Sequence, residues 1–313
     1  MKISVVIPNY NGEHLLKINL PKVIEAINKF DGEKEIIITD DASIDGSKNA
    51  VEEIKDLNKD LKITFLTSTQ NRGFSSNANK GVSKATGEIL ILLNTDVSPN
   101  EDFLKPLLKH FRNEKVFAVG ALERSIEKDG NVVLRGRGVG KWKRGFLVHK
   151  RGEVNKESTL WVSGGSGAFK KEIWDKLGGF NSLYDPYYWE DIDLSYRAIK
   201  SGYKILFEPD SLVKHEHEQG AIKSRFSKKQ VKKIAYRNQF IFTWLNLTDF
   251  KLLFFHFVFI PYHLIKTILR LDFLFASGFF RALILLPKIL KCREQNKQLF
   301  LKTDFEAVAD LAE

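Results

Sequence analysis

The sequence predicts an α/β fold built on a mostly parallel sheet, and three observations carry that expectation. Over roughly the first 120 residues, short β-branched or aliphatic runs alternate with longer stretches of helical periodicity. Three of those runs end in polar clusters: Pro8-Asn9-Tyr10-Asn11, Asp40-Asp41 and Asn94-Thr95-Asp96. The chain has 313 residues, 43% hydrophobic and 28% charged, which fits one large or two modest domains and excludes wholesale disorder.

Ser4–Ile7 reads as a short buried strand stopped at Pro8. Ile3–Ile7 is too short for the apolar core of a secretion signal, so none is expected. Leu15 through Ile27 repeats apolar residues at helical spacing, and Glu35–Thr39 returns to β-branched residues. Gly46–Leu57 reads as helix, with Ser43 or Asp45 as its N-cap. Lys62–Leu66 follows as strand, Ser75–Ala85 as helix and Glu88–Leu93 as a continuous apolar strand. In open α/β sheets ligands gather outside the carboxyl ends of the strands, so the three polar clusters at one edge would form a site. Ile126–Ser158 is rich in Gly, Lys and Arg and weakly periodic, and Asp129-Gly130-Asn131 has the turn chemistry of a hairpin. Gly136, Gly138 and Gly140 have the wrong spacing for a dinucleotide loop, which leaves a loop near an anionic ligand as the better reading.

Charge separates the chain into two parts. The 49 basic and 39 acidic residues give a formal net charge of +10. Residues 219–313 hold 16 basic against 7 acidic residues, whereas residues 1–218 hold 33 against 32. The same tail contains 14 of the 24 phenylalanines. A basic, aromatic tail on a nearly neutral body predicts a membrane-surface appendage and argues against a nucleic-acid partner. After Glu218 the chain runs through Lys223, Arg225, Lys228, Lys229, Lys232, Lys233 and Arg237 before its next acid, Asp249. Phe250, Phe254, Phe255, Phe257, Phe259, Phe273, Phe275, Phe279 and Phe280 follow. The longest charge-free stretch, Leu252–Ile265, has 14 residues and falls short of the about 20 that span a bilayer. Interfacial burial is therefore expected, the alternative being a helical subdomain that packs its phenylalanines on the body. The single cysteine, Cys292, excludes a disulfide scaffold and suits a reducing compartment.

Four constellations point to chemistry. Asp40 and Asp41, at a strand end, can accept hydrogen bonds from a nucleobase or ribose. Asp96 can hold a hard divalent cation that also grips phosphate oxygens. Glu190, Asp191 and Asp193 crowd three carboxylates into four positions before an amphipathic helix, which is costly without partners, a metal or a catalytic task. His215 or His217, after strand-like Lys204–Phe207 and Ser211–Val213, could complete the coordination begun by Asp96.

In this order the motifs resemble those of the family 2 glycosyltransferases, inverting enzymes with a GT-A fold. The resemblance covers about residues 3–218: Ser4-Val-Val-Ile-Pro-Asn-Tyr-Asn11, Asp40-Asp-Ala-Ser-Ile-Asp-Gly-Ser47, Asn71-Arg-Gly-Phe-Ser-Ser-Asn-Ala-Asn-Lys-Gly81, Leu92-Leu-Asn-Thr-Asp-Val97, Gly164-Gly-Ser-Gly-Ala168, Gly178-Gly-Phe-Asn181, Trp189-Glu-Asp-Ile-Asp-Leu194 and His215. It is most similar to the bacterial branch that builds surface polysaccharides, rhamnosyltransferases among them. The resemblance implies that Pro8, Tyr10 and Asn11 line the nucleotide pocket, that Asp40 meets the pyrimidine base with Asp41 beside it, and that Asn71, Arg72 and Gly73 lie near the nucleotide. Asp96 and His215 would bind a divalent cation, Mg²⁺ or Mn²⁺. Asn94 departs from the usual aspartate at the first position of its triplet and would contact ribose or the metal through water. Gly164–Gly167, with Gly165 at its centre, would approach the donor sugar. Trp189 and Glu190 would bind the acceptor, and Asp191 would be the catalytic base.

The implied domains are a GT-A catalytic unit at 1–218, with a nucleotide-binding half at 1–122 and an acceptor-binding half at 123–218, and a helical membrane-associated tail at 219–313. The implied activity is transfer from a UDP- or dTDP-sugar to a saccharide or lipid-linked acceptor, on the cytoplasmic face of the cell membrane. Direct transfer to a polyprenyl phosphate, or a non-catalytic nucleotide-sugar-binding scaffold, is the alternative.

Overall fold

The computed structural model describes residues 1–126, 130–215 and 225–311. Within them one mixed sheet joins β1 (Lys2–Asn9), β2 (Glu33–Asp40), β3 (Lys62–Thr67), β4 (Ile89–Leu93), β5 (Val97–Pro99), β6 (Val116–Ile126), β7 (Val132–Arg135), β10 (Ser166–Lys170) and β11 (Lys204–His215). Its order is β3-β2-β1-β4-β10-β6-β11-β5, with β7 paired to β6; a separate hairpin joins β8 (Gly138–Lys143) to β9 (Phe146–Arg151). β3, β2, β1 and β4 run parallel, and β11 is parallel to β6. Antiparallel β10 begins at the edge where β4 ends, with Ser166 opposite Leu93. The carboxyl ends of β1, β2, β4 and β11 therefore share one edge with the start of β10.

Strand alternation explains the two cores. Ile3, Val5, Ile36, Ile38, Ile89 and Ile91 face one side, packed with α1 (Glu13–Asn28) and α4 (Leu104–Leu108). α1 supplies Leu16, Leu20, Val23 and Ile27, one helical stripe. Val6, Ile37, Leu90 and Leu92 face the other side, against α3 (Phe74–Val82), α5 (Lys171–Leu177) and α6 (Glu190–Lys200). The predicted elements of the first hundred residues are all present, displaced by at most three residues at their ends. Capping differs from expectation. α2 (Ser47–Leu57) has Gly46 at its N-cap, and Asp45 accepts the Ser47 N–H at 3.1 Å. The Ser43 hydroxyl is engaged elsewhere, accepting the Asn11 N–H at 2.7 Å.

Residues 225–311 do not form a separate core. α7 (Lys228–Asn246) starts at a Ser227/Gln230 capping box, and its second half is buried all round. Its Phe240, Phe242 and Leu245 join Phe275 of α9 (Leu274–Ile284) and Ile289 of α10 (Leu286–Lys297) in the cluster that contains Phe146, Trp189 and Tyr196. α11 (Asp304–Val308) closes the chain on α6. Lys200 Nζ lies 2.8 Å from Asp304 Oδ1 with both side chains fully buried, and also donates to the Asn246 carbonyl and the Thr248 hydroxyl. Asp304 Oδ2 accepts the Thr248 and Asp249 N–H groups, so this buried pair has the additional hydrogen bonds that make burial of charge tolerable.

α8 (Phe250–Leu269) corrects the estimate from the charge-free run. The helix has 20 residues and a mean hydropathy of 1.7 over its most apolar window, because Lys251 and Lys266 fall inside it rather than bounding it. By length and composition it is long enough to cross a membrane. One face, however, is tied lengthwise to the β8–β9 turn. The His256 ring is 2.7 Å from the Gly145 carbonyl and accepts from Trp244 Nε1 at 2.9 Å. Two turns further on, His263 Nε2 is 3.0 Å from the Arg144 carbonyl. The tail phenylalanines accordingly divide: Phe240, Phe242 and Phe275 are core, whereas Phe250, Phe254, Phe255, Phe257, Phe273 and Phe280 are exposed.

Candidate active site

A cleft of about 470 Å³ opens at the shared strand edge. Pro8 and Tyr10 reach it from the end of β1, Asn94 and Asp96 from the end of β4, His215 from the end of β11, and Gly165 from the turn into β10. Asp41, Asn71 and Gly73 line it from the β2 and α3 side, and Glu190 and Asp191 from the first turn of α6. Eleven of the fifteen predicted site residues thus share one cavity.

Four do not line it. Asp40 lies behind the wall: its carboxylate accepts Asn9 Nδ2 at 2.7 Å and the Ser43 N–H at 3.0 Å, leaving Asp41 as the acid of the pair at the cleft. Asn11 braces the following loop by accepting the Ile44 N–H at 2.9 Å. The Arg72 side chain is exposed, while its backbone N–H donates to Asp41. Trp189 is only 7% exposed and is a packing residue, its ring 4.9 Å from His149 and 5.1 Å from Phe242. His217 and Lys223 fall outside the described residues.

The wall formed by Asp41 and the start of α3 is braced by hydrogen bonds. Asp41 accepts the Gly73 N–H at 2.8 Å and Asp185 accepts the Ser75 N–H at 2.9 Å, so two carboxylates satisfy the open N-terminus of α3. Gly73 has φ +102°, and a Cβ there would come within 2.7 Å of Pro186. Asn77 ties α3 to β2 through the Thr39 carbonyl at 2.8 Å. At the other wall a Cβ on Gly165 would lie 2.4 Å from the Asn94 amide, so only glycine allows the approach of this loop to the β4 end.

His215 Nε2 is 3.3 Å from Asp96 Oδ1, and its Nδ1 is 3.2 Å from Glu123 Oε2. Burial alone would lower the His215 pKa; the hydrogen bonds to Asp96 and Glu123 outweigh it and lift the value to about 10. Among the described residues no three acidic, His or Cys side chains converge as a ready metal cage. Once a cation displaces the Nε2 proton, the pair offers one oxygen and one nitrogen donor at the cleft, with the Glu123 carboxylate behind the imidazole to orient it. Such a donor set fits a divalent cation that takes its remaining ligands from phosphates and water.

The α6 carboxylates have separate environments. Asp193 is fully buried and satisfied: Tyr184 Oη and Asn246 Nδ2 donate to one oxygen at 2.9 and 2.7 Å, and Arg197 to the other at 2.8 Å. It is structural. Asp191 accepts the Ile192 N–H at 2.7 Å, and burial pushes its pKa up to about 6. Burial, and then the charge of Asp191, push Glu190 well above the carboxylate range; among the described residues its Oε2 has no hydrogen-bond partner. Two adjacent carboxyls, both with pKa raised by burial and one of them to about 6, are an arrangement suited to proton transfer.

Sequence reading missed Glu123, Arg225, Phe226 and Asn238. Glu123 had a signal, an acid following the apolar run of β6. Arg225 lies 4.9 Å over the Tyr10 ring and lines the cleft with Phe226, although both precede the tail helix.

A parallel-dominated sheet with its cleft at a strand-end edge places these side chains where open α/β folds bind their ligands. The family model for glycosyl transferase family 2 matches residues 4–178, and the chain belongs to that family. An O-antigen chain rhamnosyltransferase of Salmonella typhimurium is 24% identical over 69% of this chain and 67% of its own length. A Campylobacter jejuni GalNAc(5)-diNAcBac-PP-undecaprenol β-1,3-glucosyltransferase is 29% identical over 51% of this chain; the chain spans only 47% of that relative. Among solved structures, a mannosyltransferase from Pyrobaculum calidifontis in complex with GDP-Man and Mn²⁺ superposes with a TM-score of 0.58 at 20% identity, covering 98% of this chain and 77% of that one. The fold is GT-A.

Proposed function

We propose that this glycosyltransferase is an inverting, divalent-cation-dependent enzyme that moves a sugar from a UDP- or dTDP-sugar to a hydroxyl of a saccharide or lipid-linked saccharide in cell-surface polysaccharide synthesis. The observation that carries the reading is the shared cleft of Asp191, Asp96 and His215. Residues 1–122 hold the nucleotide, most of 123–218 serves the acceptor, and 219–313 attaches the enzyme to the cytoplasmic leaflet. Asp41, held by the Arg72 and Gly73 N–H groups, meets the base edge from the cleft wall, and Tyr10 flanks the nucleotide. Gly165 lets the donor sugar lie against the β4 end. Glu190, its carboxyl pKa pushed upward by burial and the neighbouring Asp191 charge, faces the acceptor from the cleft wall. Asp191 removes the acceptor hydroxyl proton as that oxygen attacks the anomeric carbon, displacing the nucleoside diphosphate with inversion. A divalent cation bound by Asp96 and His215 supplies Lewis-acid neutralisation of the leaving diphosphate.

A thermal-shift series with UDP- and dTDP-sugars tests the donor class. A ligand present at a hundredfold excess over its Kd stabilises the native state by about 2.7 kcal/mol. A rise in melting temperature that needs both nucleotide sugar and Mn²⁺ is expected. Absence of any shift across both nucleotide series would count against the donor assignment.

The membrane reading rests on the outward face of α8 and α9. Phe250, Phe254, Phe257, Ile265, Phe280 and Ile284 are exposed there, with Lys251, Arg270 and Arg281 also exposed on these helices and the connection between them. The lengthwise anchoring at His256 and His263 favours lying in the interface over spanning it. The protein is expected to sediment with phosphatidylglycerol vesicles at low salt, and the triple change F254A/F257A/F280A to release it. Indifference to anionic lipid, or a dimer in solution that buries this face, would overturn the assignment.

A further inference from the structure

We propose that Asn238, in the C-terminal helical region, is a positioning residue for the catalytic carboxylates. Its side chain is fully buried, and Nδ2 lies 2.9, 2.9 and 2.8 Å from the carbonyl oxygens of Tyr184, Tyr187 and Tyr188. Arg237 completes the clasp: its guanidinium donates to the carbonyls of Tyr184 and Asp185 at 3.2 and 2.6 Å. Arg237 Nε donates to Asn238 Oδ1 at 2.8 Å, which turns the amide so that its N–H groups face the loop. Four backbone carbonyls within five residues thus find donors on α7, about fifty positions away in sequence.

That loop leads straight into α6. Tyr188 and Trp189 both hold positive φ, 71° and 80°, a backbone state that non-glycine residues keep only where their surroundings over-determine it. Trp189 is the N-cap, and Glu190 and Asp191 are the first two residues of the helix. The direction in which α6 starts, and with it the Asp191 carboxylate, is set by the residues that hold Tyr184–Tyr188 in place. Asp193 inside α6 is held partly from the same helix, by Asn246 at 2.7 Å. A residue outside the family match thereby controls the geometry of the proposed base, and the inference rests on the reading of Asp191 as that base.

The test uses the full chain with Mn²⁺ and measures nucleoside diphosphate release from UDP-glucose, UDP-N-acetylglucosamine and dTDP-L-rhamnose, alongside UDP affinity. Misplacement of a reacting group by about 1 Å costs on the order of 100-fold. Asn238→Ala is expected to lower kcat by about that factor, with donor KM and UDP affinity within about twofold of wild type. Arg237→Lys keeps the cation but loses the bond that orients the amide, so a fall in kcat of about tenfold is expected. It decides the question if Asn238→Ala does not fold. Unchanged kcat in the folded variant, or kcat and UDP affinity falling together, overturns the proposal while an active wild type leaves the transferase reading standing. A wild type that releases nucleoside diphosphate from none of the donors overturns both.

Discussion

Asp191→Asn is expected to reduce kcat by about 10²–10⁴-fold, the range contributed by a positioned general base, while donor binding stays nearly intact. Asparagine preserves the size of the side chain and can still accept the Ile192 N–H, so the first turn of α6 should keep its shape. What it loses is the capacity to take a proton. The pH profile separates this role from a merely electrostatic one. Burial raises the Asp191 pKa to about 6, and a general base acts only when ionised. The wild-type rate should therefore rise with pH through about 6 and level above it. In Asp191→Asn the residual rate should lose that limb. Retention of full turnover, or of the same acid limb, would remove Asp191 from the role.

Asp96→Ala is expected to cost on the order of 10³-fold in kcat/KM, comparable to removal of a group that stabilises developing negative charge. The loss should be matched in the wild type by chelation with EDTA. Adding EDTA to the variant should then change little, because both perturbations remove the same interaction. Full activity of Asp96→Ala at saturating Mn²⁺, or a wild type indifferent to EDTA, would show that the leaving diphosphate is neutralised by another group. Arg225 and Arg135, both lining the cleft, would then be the cations to examine. Glu123 holds the far nitrogen of His215, so its loss should weaken the site without abolishing it.

The sequence carried much of this through local periodicity. Strands such as Ile89–Leu93 alternate or are wholly apolar, α1 repeats every three to four residues, and polar clusters at the strand ends mark the edge where ligands gather. Asp96 and His215 stood out as candidates for that reason, and Asp191 because three carboxylates crowd the start of a helix. Asp40 and Asp41 were legible as a pair but not individually. Only the tertiary structure shows that Asp40 is held behind the wall by Asn9 and Ser43, whereas Asp41, though it accepts the Arg72 and Gly73 N–H groups, lines the cleft. The resemblance made Trp189 an acceptor-binding residue; in the structure Phe242, from α7, packs on it and it is buried.

The tail shows the division most clearly. Composition alone determined that residues 219–313 are basic and rich in phenylalanine. Tertiary structure decided which phenylalanines are core and which remain exposed, and it placed Asn238 beneath the loop that carries the base. The physical reason is range. A period of 2 or 3.6 records which face of an element is apolar, because that face is set by the backbone within a few residues. The partner that covers the face, and the carbonyl that meets a buried amide some fifty residues away, follow from how the helices pack together.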